Sequence, residues 1–122
     1  MAIAKILLTH QDGASLLTFA GDYDVFCAPA VRDRVHGELD RGAPCVIDLR
    51  GATFIDSTIM SVLLGANRRS NQAGIPFAIV LEEGSDSPVR RIFEVTHLLT
   101  VFRVFDDPDL AVDAVVQPAQ PA

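Results

Sequence analysis

The chain has 122 residues, 49% of them hydrophobic, and a formal net charge of −6 at pH 7. This length and composition suit one domain with its own hydrophobic core. The acidic balance argues against nucleic-acid binding, which favours a basic surface, and no apolar run reaches membrane-spanning length. The first eight residues are apolar but lack a basic leader, so they predict a strand and not a signal peptide. We therefore expect a cytoplasmic protein that does not bind membranes.

Two apolar, partly alternating runs open the chain, at residues 5–9 and 16–20. Asp12-Gly13 between them is a turn signal, so the runs predict an antiparallel hairpin.

A first helix is predicted to begin near Pro29, which suits a first helical turn, and to end at Gly42. Its apolar stripe repeats every four residues, at Val31, Val35 and Leu39. Arg34 and Glu38 are predicted to form an i,i+4 ion pair on the solvent side.

Strands and helices then alternate to the end of the chain. A buried strand at 45–49 is followed by a loop and then by a second helix, from Asp56-Ser57 to about Gln72. The later elements are a strand at 76–81, a helix from Ser87-Pro88, a strand at 101–105 and a helix from Asp107-Pro108.

This order, β-β-α-β-α-β-α-β-α, predicts an α/β fold. We expect a mostly parallel open sheet with an antiparallel N-terminal strand and helices packed on it. The predicted domain is 1–116, and the Pro- and Gln-containing segment 117–122 is predicted to be a disordered tail.

The start of the second helix carries the strongest functional signal. Asp56 and Ser57 lie where a strand–loop unit becomes a helix, a junction with unpaired N–H groups and the positive end of a helix dipole. Such a site suits a phosphate carried by a hydroxyl. Ser and Asp are also favoured helix N-caps, so the pair has a purely structural interpretation as well. Thr58 is a second hydroxyl, further into the helix.

The second helix has two apolar faces. The predicted core face consists of Ile59, Val62, Leu63, Ala66 and Ala73. Met60 and Leu64 lie off that face, nearer to Ser57, Ser61 and Arg68, and they predict a partner-binding surface. The alternative is that a neighbouring helix of the same domain covers Met60 and Leu64.

Sequence signals for catalysis and metal binding are missing. There is no GxxxxGK phosphate loop and no GxSxG elbow. The three histidines have no metal-like spacing with each other or with Cys27 and Cys45. We therefore predict a protein that is not an enzyme and has no cofactor or metal. The two cysteines predict free thiols, with a redox switch as the alternative.

Four segments in order resemble the STAS domain family, of the anti-sigma factor antagonist (anti-anti-sigma) type. The resemblance runs from about residue 16 to 116, and its segments are 21–32 (GDYD, then CAPAVR), 46–57 (VIDLRGATFIDS), 89–96 (VRRIFEVT) and 98–105.

The resemblance implies a binding module that regulates sigma-factor-dependent transcription. In its unphosphorylated form such a protein binds an anti-sigma factor, usually itself a serine kinase, and a metal-dependent phosphatase reverses the phosphorylation. Ser57 matches the phosphorylated serine, Asp56 the acid before it, and Asp24 an acid near the same end of the sheet. With Thr58, Met60, Ser61, Leu64 and Arg68 they make up the predicted partner-binding surface of a monomer or weak dimer.

Three positions depart from the family pattern. Ile59 stands where the family usually has Gly, Cys27 replaces a Thr or Ser near the first helix, and His97 replaces a Gly after the third helix. The Ile59 departure keeps an alternative open: a STAS scaffold or transport-complex subunit without a phosphoswitch.

Overall fold

A computed structural model describes residues 3–84 and 86–117. The strands and helices follow one another as β1 (Lys5–Gln11), β2 (Ala14–Tyr23), α1 (Ala28–Asp40), β3 (Cys45–Ile55), α2 (Ser57–Ala73), β4 (Phe77–Val80), α3 (Pro88–Val95), β5 (Val104–Phe105) and α4 (Pro108–Val116). A 3₁₀ turn, Leu98–Thr100, precedes β5. The predicted element order is confirmed. Apart from Gln117, the predicted tail lies outside the described residues.

The strands form one sheet in the order β1-β2-β3-β4-β5. β1 pairs antiparallel with β2, and the other pairs are parallel, so the predicted α/β fold is confirmed. Helices α1, α2 and α3 contribute to one hydrophobic core, as expected when successive crossovers share one hand. α4 packs on the other face through Ala111, Val112 and Val115.

The loop predicted after Leu49 is wrong, because β3 continues to Ile55. Its pairing with β2 has register shifts next to Ala20 and Gly21, which break the regular alternation of buried and exposed residues. A Cβ on Gly51 would lie 2.8 Å from the carbonyl oxygen of Phe19, so glycine permits this close pairing. The strand therefore carries the chain without interruption to Asp56.

The last strand is shorter than predicted and spans only Val104–Phe105. Phe102 turns into the main core, where its ring packs edge-on against Phe93 at a centroid distance of 5.6 Å. The Val101 and Phe102 N–H groups both donate to the Leu98 carbonyl, so pairing with β4 begins only at the Arg103 carbonyl, which accepts the Ile79 N–H at 2.9 Å.

The predicted Arg34–Glu38 pair on the solvent side is wrong. Glu38 is buried, and its Oε1 accepts a hydrogen bond from the Ser15 hydroxyl at 2.6 Å, while Arg34 is exposed. His10 and Arg41 lie 3.4 and 3.8 Å from the same oxygen. The Ser15 hydrogen bond, helped by His10 and Arg41, holds the pKa of Glu38 below its usual range despite burial.

Glu38→Gln is expected to lower stability at neutral pH by about 1–2 kcal/mol, since a charge-assisted hydrogen bond is lost. The lowered pKa means that this contribution is present above about 4.5 and is lost as the pH falls through the lower folded-state value. Urea unfolding at neutral and acidic pH should therefore show the wild type and Glu38→Gln converging in acid. Exposed Glu83→Gln controls for the charge, and a pH profile shared by both variants would contradict the prediction.

Gly21 and Tyr23 join β1 to β2 at the edge of the sheet where β2 and β3 end. Gly21 has φ +97°, and a Cβ there would lie 2.2 Å from the carbonyl oxygen of Ile3. The Tyr23 hydroxyl donates to the Lys5 carbonyl at 2.5 Å and accepts the Ala20 N–H at 3.2 Å. These contacts place the start of β1 beside the β2–α1 loop.

Candidate functional site

The side chain of Asp56 provides the N-cap of α2. It accepts a hydrogen bond from the Ile59 N–H at 3.0 Å. Ser57 is the first residue of the helix and is exposed, and within the described residues its hydroxyl makes no hydrogen bond. The capping interpretation therefore holds for Asp56, which leaves the Ser57 hydroxyl available to a second protein.

Asp24 and Asp56 lie at the same edge of the sheet. Tyr23 pairs with Ile55 across β2 and β3, and each acid follows directly after its member of that pair. Asp24 Oδ1 accepts the Phe26 N–H at 3.0 Å. Asp22 lies one pair further back and accepts a hydrogen bond from Thr53. Ser57 thus stands at an edge rich in carboxylates, here called the Ser57 edge (Asp22, Asp24, Asp56 and Ser57).

One face of α2 extends from Ser57. Ser61 is exposed and donates to the Ser57 carbonyl at 3.0 Å; Leu64 is half-buried and Arg68 exposed. Thr58, beside Ser57, is half-buried. Arg68 lies eleven positions after Ser57, about 16 Å along the helix axis. Arg68 is therefore too far away to pair with a phosphate on Ser57.

The expectation that Met60 lies outside the core is wrong. Met60 is 5% exposed and belongs to the main core, where α1 packs beside α2. Leu64 also packs against that core while remaining partly accessible. Ala73, predicted on the core face, is exposed at the last turn, where Gly74 ends the helix at φ +70°. Its burial in the core removes Met60 from the candidate surface.

The structure shows how each of the three departures from the family pattern is accommodated. The Ile59 side chain is fully buried, so it lies away from the exposed Ser57 surface. Cys27 precedes α1 without a side-chain cap, and its Sγ accepts the Asp24 N–H at 3.2 Å. His97 adopts φ +60°, the left-handed conformation that glycine usually supplies at a helix end.

The structure also describes the Cys45 thiol, the arrangement of possible metal ligands and the lengths of the helices. Cys45 is buried, and this burial raises its pKa to about 12, so its thiol stays protonated at neutral pH. Within 3–84 and 86–117 no group of three or more His, Cys, Asp or Glu side chains is arranged to hold a metal ion. No helix in these ranges is both long and apolar enough to span a membrane.

Three exposed apolar side chains that share one groove near the Ser57 edge were missed by the sequence analysis: Ile3, Phe26 and Phe54. Phe26 carried a signal, since it stands in a short loop between Asp24 and Pro29 with no helical stripe to join. The other two occupy strand-like runs that a sequence pattern assigns to a sheet without indicating which face is open.

We compared the chain with models of known protein families. The family model of the STAS domain matches residues 5–111. The chain belongs to the STAS domain family.

This STAS domain has curated relatives and solved neighbours of similar length. It is 24% identical over 106 residues to the anti-sigma F factor antagonist of Paenibacillus polymyxa, covering 84% of this chain and 87% of the relative. An anti-sigma factor antagonist from Mycobacterium paratuberculosis superposes with a TM-score of 0.83 at 24% identity, covering 94% and 96% of the two chains. Phosphorylated SpoIIAA of Bacillus superposes with a TM-score of 0.66 at 18% identity, covering 91% and 99%.

Two of the four STAS-like segments meet at the Ser57 edge. The segment from Gly21 ends β2, and the segment from Val46 runs along β3 to Ser57. Residues far apart in the sequence therefore build one surface in this STAS domain.

Proposed function

We propose that this STAS domain is an anti-sigma factor antagonist whose binding surface is centred on Ser57 and is switched off by phosphorylation there. The partner is an anti-sigma factor of the serine-kinase type, and a metal-dependent phosphatase restores the binding form. The observation that carries the proposal is the exposed Ser57 hydroxyl at the first residue of α2, with the cap supplied by Asp56 instead.

The proposed surface comprises Asp24, Asp56, Ser57, Thr58, Ser61, Leu64 and Arg68. The function of the curated relative supports an anti-sigma factor as partner, and the phosphorylated form of SpoIIAA shows that a protein of this fold accepts a phosphate.

The electrostatics explain how a phosphate would act as a switch. A phosphoryl group adds close to two negative charges. The N-terminal dipole of α2 favours these charges, so the domain stays folded. In a closed interface they would be desolvated beside Asp24 and Asp56, which opposes binding. Phosphorylation would therefore dissolve the complex without unfolding the domain.

Intact-mass spectrometry with peptide mapping of the protein purified from its native cells tests the switch. We expect one added phosphate, located on Ser57, in part of the population. Ser57→Ala, expressed in the same cells, should lack it. An unmodified Ser57 under both growth and stress would contradict the switch and favour a STAS scaffold in which Asp56 is only a helix cap.

A further inference from the structure

A surface groove of about 470 Å³ lies beside the Ser57 edge. Its apolar walls include Ile3 from the start of the chain, Phe26 from the β2–α1 loop and Phe54 from the end of β3. Asp22 and Asp24 form its polar rim. We call it the Phe26 groove. Its volume falls in the range of sites that hold apolar groups of ligands.

The apolar walls are unusually accessible. Ile3 is 84% exposed, Phe26 90% and Phe54 47%. Single exposed apolar residues are ordinary, but three around one groove are typical of a surface that binds a partner.

The backbone around Phe26 is held in a defined turn. Asp24 accepts the Phe26 N–H with its side chain at 3.0 Å and the Cys27 N–H with its carbonyl at 3.1 Å. These bonds close a turn immediately before α1, so little loop entropy is lost when a partner packs on the ring.

The charge of the groove restricts what it binds. Its lining contains two carboxylates, of which Asp22 already accepts a hydrogen bond from Thr53, and, among the described residues, no basic side chain. An anionic membrane surface or a nucleic acid would be repelled. A second copy docked groove to groove would bring the acidic rims together, which is also unfavourable.

We propose that the Phe26 groove binds a segment of the anti-sigma factor in which an apolar side chain is flanked by Lys or Arg. The apolar side chain packs between Phe26 and Phe54, and a basic group pairs with Asp24. This inference rests on the proposed function for the identity of the partner, whereas the chemistry of the segment follows from the groove itself. Apolar anchors with complementary charge at their rim are a common arrangement in interfaces.

Amide NMR spectra of the labelled full-length chain test the groove with blocked synthetic peptides of one length. Gly-Arg-Leu-Leu-Arg-Gly is the probe, and the versions with Glu for Arg or Ser for Leu are its controls. We expect only the probe to shift the signals of Asp24, Phe26 and Phe54 in a saturable manner, with a Kd on the order of 1 mM. Added salt should weaken the binding.

Phe26→Ser is expected to weaken probe binding at least about tenfold, because the central aromatic contact is lost. The high exposure of Phe26 means that little packing is removed. Val95→Ser, at a 68% exposed position on α3, is the matched control and should leave binding unchanged. The same two variants are then compared for affinity towards the anti-sigma factor.

The outcomes separate this inference from the proposed function. Equal shifts with all three peptides, no shift at the groove, or no effect of Phe26→Ser would overturn the inference while leaving the Ser57 switch intact. Selective probe binding by a chain whose Ser57 is never phosphorylated and which binds no anti-sigma factor would retain the groove and overturn the proposed function.

Discussion

Ser57→Asp is expected to weaken anti-sigma factor binding at least about tenfold, equivalent to about 1.4 kcal/mol, whereas Ser57→Ala should bind as the wild type does. The Asp side chain places a fixed negative charge at an exposed position of the Ser57 edge, next to Asp56 and near Asp24. In the complex that charge is desolvated among other carboxylates. Alanine removes only a hydroxyl that makes no hydrogen bond to the described part of the chain.

Titration calorimetry with the unmodified anti-sigma factor measures both affinities. Gln72→Glu is the matched control, since it adds the same charge to an exposed position near the other end of α2. It should leave the affinity unchanged. Thermal unfolding of Ser57→Asp should show no loss of stability, because an acid in the first turn of a helix interacts favourably with the dipole. Equal affinities for the Asp and Ala variants would contradict a switch at Ser57.

The order of the elements could be predicted from the sequence because each carries a local signal. Alternating apolar runs indicate the strands. The ends of strands and helices are indicated by turn and cap residues such as Gly13, Pro29, Gly74 and Asp107. The Asp56-Ser57 junction was predicted for the same reason, since a helix start is a local event.

Features that depend on packing between elements could not be predicted in the same way. The sequence predicts Glu38 as a solvent-facing partner of Arg34, because the two are four residues apart on one helix. In the fold, the β1–β2 hairpin places Ser15 and His10 beside Glu38 instead. Met60 looked accessible because helical periodicity gives an angle but not the width of the sector that a neighbouring helix covers.

The Phe26 groove could not be predicted from the sequence for a related reason. Its walls come from three segments, and no single stretch of sequence contains more than one of them. Their meeting depends on the contact between Gly21 and Ile3 and on the irregular pairing of β2 with β3. At such a backbone contact the only sequence signal is a glycine, here Gly21. A glycine does not indicate which segment packs against it.

Gly21→Ala, next to the Ser57 edge, is therefore expected to lower the free energy of unfolding by about 2–4 kcal/mol. The residue is in the positive-φ region at +97°, which a Cβ makes unfavourable. The added carbon would also lie 2.2 Å from the Ile3 carbonyl oxygen. That oxygen belongs to the backbone two residues before β1, which begins with the pair Lys5–Ala20, so it yields less easily than the end of a flexible side chain would.

Gly84→Ala separates the free-energy cost of a Cβ at positive φ from the cost of the clash with the Ile3 carbonyl oxygen. Gly84 has nearly the same φ, +98°, and nothing lies within 4 Å of the Cβ position, so its variant carries only the conformational penalty of about 1–2 kcal/mol. Urea unfolding of both variants should thus show a clearly larger loss for Gly21→Ala. Equal losses would mean that β1 moves aside at no cost.

Displacement of Ile3 also opens one wall of the Phe26 groove. We therefore expect Gly21→Ala to weaken binding of the Arg-Leu peptide even in the folded fraction, whereas Gly84→Ala leaves that binding unchanged.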